Sequence, residues 1–137
     1  MKKYLLLAGI IFFISGCAVK TRPVYAVIKT PKIKMADQGF LKQGFLSKKI
    51  ILYKGLKSIE ISLYPHSVCM NKECVPKSVF IEKFFGPEYP DDFLDKIIKG
   101  KPLSFIRDDK RFIYKVTPQK ILFKDREKRI VLVIKFL

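Results

Sequence analysis

Three cysteines and one histidine are the side chains of this sequence best suited to chemistry. Cys69 and Cys74 are separated by Met70-Asn71-Lys72-Glu73. A redox or zinc site prefers two intervening residues, and no second ligand pair is present. A hairpin explains the spacing better. With Asn71 and Lys72 as the loop, Met70 faces Glu73. Cys69 then faces Cys74 as a non-hydrogen-bonded pair, with Cα atoms about 4.5 Å apart. A disulfide accepts that separation, and closing so small a loop contributes about 2 kcal/mol. His66 follows Pro65 in a loop, so nucleophilic catalysis would rest on a lone imidazole. There is no glycine-rich phosphate loop. Asp91, Asp92 and Asp95 cluster, but the first two suit a helix N-terminus. Asp95 falls opposite that helix's apolar stripe. The residues therefore read as a non-enzyme with a structural Cys69–Cys74 bridge, no metal site and no cofactor.

Cys17 stands apart from this pair. It follows a basic start, Lys2-Lys3, and an apolar run of eleven residues from Tyr4 to Ile14. That run is too short to cross an apolar layer of about 30 Å, which takes roughly 20 helical residues. It suits the core of an export signal, with Ser15 and Gly16 as the small residues at a cleavage site. The box Ile14-Ser15-Gly16-Cys17 resembles the lipobox of bacterial lipoproteins. That resemblance implies a signal peptide over 1–16 and an acylated Cys17 as the first mature residue. The alternatives are an ordinary N-terminal anchor or a chance cysteine. Two or more acyl chains hold a protein firmly on a membrane without spanning it. Ala18 follows the cysteine where an Asp would favour the inner membrane. The resemblance thus implies an outer-membrane anchor facing the periplasm.

The elements that must carry these residues are legible in the patterning. Residues 17–34, with Pro23 and Pro31, read as a lipidated tether, since proline disfavours a central strand. Val24-Tyr25-Ala26-Val27-Ile28 inside it could be an edge strand docking on the domain. One domain over 35–137 follows. Phe40–Leu46 is a short segment punctuated by Gly39 and Gly44. Lys49–Lys54 is an apolar run, and Ser58–Tyr64 alternates with Ile59, Ile61 and Leu63 on one face. Ser78–Phe85 reads as a short helix capped by Ser78 and ended by Gly86. Asp91–Lys99 reads as a second helix, stopped by Gly100, with Phe93, Leu94, Ile97 and Ile98 as its apolar stripe. Arg111–Val116, Lys120–Lys124 and Arg129–Leu137 return to strands. Phe112, Tyr114 and Val116 share one face of the first of these. The last strand is apolar on both faces and should lie between neighbours. The rings of Phe40, Phe45, Tyr53, Phe80, Phe93 and Phe123, among others, are expected inside. The fold class is α+β: a curved antiparallel sheet, half-open and barrel-like, covered by one or two short helices.

Composition narrows the function. The sequence has 137 residues, 28 Lys+Arg against 12 Asp+Glu, and a net charge of +16. At 49% hydrophobic it is too apolar for a disordered polycation. The lysines are spread along the chain rather than clustered with stacking aromatics, so nucleic acid is not the expected partner. They form either a solvated outer face or a contact for an anionic partner such as lipid head groups.

The order of strands, disulfide hairpin, helices and closing meander resembles LolB-type outer-membrane lipoprotein receptors. Tyr89-Pro90-Asp91-Asp92-Phe93-Leu94 through Lys99-Gly100-Lys101-Pro102 is similar to that family's proline-led short helix ending in glycine. The resemblance spans about Gly39 to Leu137. It implies that acyl chains, or a lipidated protein, bind between the sheet and the second helix. The implied ligand residues are Phe93, Leu94, Ile97, Ile98, Phe112 and Tyr114. The rival expectation is a structural lipoprotein that tethers or stabilises an envelope assembly.

Overall fold

The computed structural model describes residues 19–107 and 110–137. The expected signal segment, 1–16, and Cys17 lie outside the described residues. What is described forms one nine-stranded antiparallel sheet and two short helices, an α+β architecture. The strands are β1 (Lys20–Lys29), β2 (Lys34–Gln43), β3 (Lys48–Lys54), β4 (Lys57–Leu63), β5 (Ser67–Met70), β6 (Glu73–Pro76), β7 (Phe112–Val116), β8 (Lys120–Asp125) and β9 (Ile130–Phe136). Helices α1 (Lys77–Phe84) and α2 (Phe93–Lys99) lie between β6 and β7. The order across the sheet is β6-β5-β4-β3-β2-β1-β9-β8-β7. The sheet is therefore two meanders joined where β1 meets β9. It is open, with β6 and β7 as its edges.

The stretch read as a tether is corrected by this order. Lys20–Lys29 is β1, an interior strand paired with β2 on one side and β9 on the other. The domain thus begins by Lys20 rather than at residue 35. Pro23 is tolerated for a local reason. Its carbonyl accepts from the Leu137 N–H at 3.1 Å, and in a strand the N–H and C=O of one residue point the same way. The missing donor therefore faces the end of β9, where the ladder stops, and no bond to β2 is lost. Thr30 closes the β1–β2 turn, its hydroxyl accepting from the N–H groups of Lys32 at 3.2 Å and Ile33 at 3.0 Å.

Gly39 does not punctuate β2 but sits inside it. A Cβ there would lie 1.7 Å from the Ile51 carbonyl oxygen, so only glycine allows β3 to approach so closely. Ser78 does not cap α1, which starts after Pro76 without a side-chain cap. Gly100 does end α2, in the left-handed conformation, and the Lys101 N–H reaches back to the Lys96 carbonyl at 2.9 Å.

The hairpin follows the spacing of its cysteines. Asn71 and Lys72 both take positive φ, at 50° and 74°, as a two-residue turn matching the strand twist requires. Cys69 pairs with Cys74 across β5 and β6, with Cα atoms 4.0 Å apart and the disulfide formed. Asn71 ties the turn to β4, its side-chain oxygen accepting from the Glu60 N–H at 3.0 Å.

Alternation along the strands separates the two faces of the sheet. Val24, Ala26, Leu41, Ile50, Ile61 and Leu132 point to one face and are buried under the helices. The intervening residues point outward. Phe40, Tyr53 and the loop residue Phe45 belong with these. They are 40%, 48% and 99% exposed, so the expectation that they fill the interior is overturned, for Phe40 and Tyr53 by register and for Phe45 by its place in the β2–β3 loop.

Candidate ligand cleft

The helix-covered face forms the walls of an apolar cleft. The sheet contributes Ala26, Ile28, Ile50, Ile61, Leu63 and Leu132. The helical layer contributes Phe80 and Phe84 from α1 with Leu94, Ile97 and Ile98 from α2. Spacing explains the second set: residues 94, 97 and 98 recur at three and four, which places them on one side of a helix. The enclosed volume is about 40 Å³. That admits a few water-sized spheres, not an extended acyl chain.

Of the six residues expected at a ligand, Leu94, Ile97 and Ile98 line this cleft. Phe93, Phe112 and Tyr114 do not. Phe93 is fully buried and turns to the other side of α2. There it meets Tyr89 at 4.9 Å and Phe123 at 4.9 Å between ring centroids. Phe112 packs in the same aromatic cluster, against Phe105. Tyr114 is half-buried and donates its hydroxyl to the Lys101 carbonyl at 2.7 Å. These three stabilise the layer next to the cleft.

Two charged groups beside the cleft carry geometry that sequence reading missed. Asp95 is not a solvated residue on the back of α2. It accepts from Lys77 at the start of α1 at 2.7 Å and faces Lys48 of β3 at 3.6 Å. One carboxylate thus ties α2 to α1 and to the sheet. Burial and the nearby Lys99 hold the Lys48 ammonium below the usual lysine range, with Asp95 pulling the other way.

The second group is Asp125, at the end of β8 and 0% exposed. It accepts from the Tyr89 hydroxyl, from Arg111 Nε at 3.1 Å and Nη2 at 3.2 Å, and from the N–H groups of Glu127 at 3.1 Å and Lys128 at 3.2 Å. Burial disfavours its charge, but the hydrogen bonds from Arg111 and Tyr89 outweigh it and keep the carboxyl below the ordinary range. Tyr89 is pushed upward, first by burial and then by its bond to Asp125. Arg111 also reaches Glu88 at 2.9 Å. This network fixes the 86–90 loop, and through Tyr89 the aromatic cluster, rather than presenting a reactive group. A pairing of Asp and Tyr 36 residues apart leaves no local signal.

Among the described residues, no three His, Cys, Asp or Glu side chains converge as a metal site would need. Asp92 pairs with Lys96 at 3.3 Å while Asp95 takes other cations, so the acidic cluster is dispersed. Among the same residues, no helix is long and apolar enough to cross a membrane. At the end of the sheet where β1 begins, the β2–β3 loop holds Phe45 and Leu46, 99% and 68% exposed, with Val19 beside Gly44. Compared with known proteins, the chain matches no family model, no curated protein and no solved structure.

Proposed function

We propose that this chain is a lipid-anchored envelope protein of the outer membrane, facing the periplasm. It takes an acyl chain or a lipidated partner between the sheet and α2, in the manner of LolB-type receptors. On this reading the open sheet is a half-open barrel with α1 and α2 as its lid. The observation that carries the proposal is the apolar character of both cleft walls, Ile50, Ile61 and Leu132 facing Leu94, Ile97 and Ile98. A volume of about 40 Å³ also means that a ligand enters only if the helices lift. The Asp95 contacts with Lys48 and Lys77 are then what must open.

The test is titration of the purified protein with a fluorescent fatty acid and a fluorescent lipopeptide. Saturable binding that strengthens in Asp95→Asn and weakens in Ile97→Asn supports the reading. Absence of binding to both variants and to the parent chain overturns it. The closed volume itself favours a second reading, a structural lipoprotein that tethers an envelope assembly. That reading needs no ligand and expects a stoichiometric protein partner after gentle crosslinking.

A further inference from the structure

The outer face of the sheet carries charge that the fold does not neutralise. On this face register sets three lysine pairs directly opposite one another: Lys29 with Lys34, Lys42 with Lys49, and Lys120 with Lys135, while a fourth, Lys54 with Lys57, falls on the other face. Lys115 and Lys124 lie on the same face, by alternation with the buried Ile121 and Phe123. Like charges directly across a ladder are unfavourable. Among the described strand residues, Glu60 is the carboxylate that shares this face, and it is taken up by Lys49 at 2.8 Å. The other acidic side chains lie on the helix side, at the edges or in turns. Between the lysines lie apolar and aromatic groups that a solvated face does not need. Tyr25, Phe40 and Tyr53 are each more than a third exposed, and the last two pack edge to face at 6.2 Å. At one end, Lys29, Lys34, Lys124, Arg126 and Arg129 ring an open groove.

We infer that this outer face is a docking surface for an anionic phospholipid bilayer. Two features select a membrane over other polyanions. Lysines framing exposed tyrosines and a phenylalanine match an interface in which head groups meet the cations and rings sit at head-group depth. The second feature rests on the proposed Cys17 anchor. β1 starts at Lys20 and lies in the middle of the sheet, so only two residues separate it from that cysteine. So short a link holds the domain against the bilayer instead of standing it off. With the outer face down, α1, α2 and the cleft between them face away from the membrane, open to an arriving ligand.

The experiment uses the protein as its host exports it, purified in detergent. It is reconstituted into vesicles of pure phosphatidylcholine or of phosphatidylcholine mixed with phosphatidylglycerol. Lysines are labelled with an amine-reactive reagent and the modified peptides quantified. In the mixed vesicles, labelling of Lys29, Lys34, Lys120 and Lys135 should fall by about fivefold or more relative to phosphatidylcholine. High salt should restore it. Lys83, Lys99 and Lys101 on the helix side should label equally in both. Equal labelling everywhere overturns the inference, as does protection of the helix-side lysines instead. Protection that appears only on adding an acidic protein overturns it in favour of a protein partner. The mass of the purified chain reports separately whether Cys17 is acylated. A failed anchor is thereby distinguished from a failed docking face. A Lys29→Gln/Lys34→Gln/Lys120→Gln/Lys135→Gln chain, checked for an unchanged far-ultraviolet spectrum, should float with the vesicles yet show no lipid-dependent protection of the Tyr25 and Tyr53 rings from iodination.

Discussion

The two faces of the one sheet solve opposite problems. On the helix-covered face the buried carboxylates are committed: Asp125 is sealed with Arg111 and Tyr89, and Asp95 holds Lys48 and Lys77. On the outer face lysine stands opposite lysine, and Phe40 and Tyr53 remain in contact with water. Strand alternation sends Val24, Ala26, Ile50, Ile61 and Leu132 to the covered side and the opposed lysines to the other. The helices then cover only the first. A face that keeps its charges unpaired gains nothing for folding from doing so, which is why its use must be sought in what it meets.

The largest effect that would sharpen this contrast is a pair of truncations. Phe93→Ala removes a fully buried ring from the aromatic cluster and should cost about 3–5 kcal/mol in denaturant unfolding. Phe40→Ala on the outer face should cost less than about 1.5 kcal/mol, close to the value of its contact with Tyr53. Equal losses would break the distinction between the faces. Next is Asp125→Asn, which takes the buried counter-charge from Arg111 but leaves it Glu88 and Glu127, and should cost about 1–3 kcal/mol. Its pH signature is as informative. The Asp125 carboxyl titrates lower in the folded protein than its ordinary 3.8. Its stabilisation is therefore complete above about pH 4 and lost as pH falls through the folded value. The asparagine variant should lose that acid dependence. An acid melting profile identical to the parent's would show that the carboxyl does not matter there. The smallest effect has the opposite sign. Lys29→Gln relieves the Lys29–Lys34 opposition and should leave stability unchanged or raise it by about 0.2–1 kcal/mol in thermal melts. A clear loss of stability would mean that the outer lysines are structural.

How much of this was legible in the sequence follows the range of the interactions. The Cys69–Cys74 hairpin was, because its turn residues, register and bridge lie within six consecutive positions. The stop at Gly100 and the three closing strands were, because alternation and a left-handed glycine are local signals. The interior place of β1 was not: Val24–Ile28 read at most as an edge strand, because Pro23 looks like a strand breaker until β9 is known to end beside it. Phe40 and Tyr53 were assigned to the interior by residue type, whereas register alone decides which face a ring occupies. The cleft was half legible. The 94, 97, 98 spacing identified its α2 wall, but the same pattern could not show that Phe93 turns toward Phe123. Asp95 was placed opposite its helix's apolar stripe, and its ties to Lys48 and Lys77 left no local signal because those partners are far away in the chain.

The adjacency of β1 and β9 has a kinetic consequence. Val24 pairs with Phe136, so the seam joining the two meanders is formed by nearly the most distant residues of the chain. Contacts of such separation are slow to form, because a long loop must close before they stabilise anything. Until β9 arrives, β1 and β8 each present an unpaired edge, and such edges template aggregation. A chain made from its N-terminus onward keeps that seam open until β9 emerges.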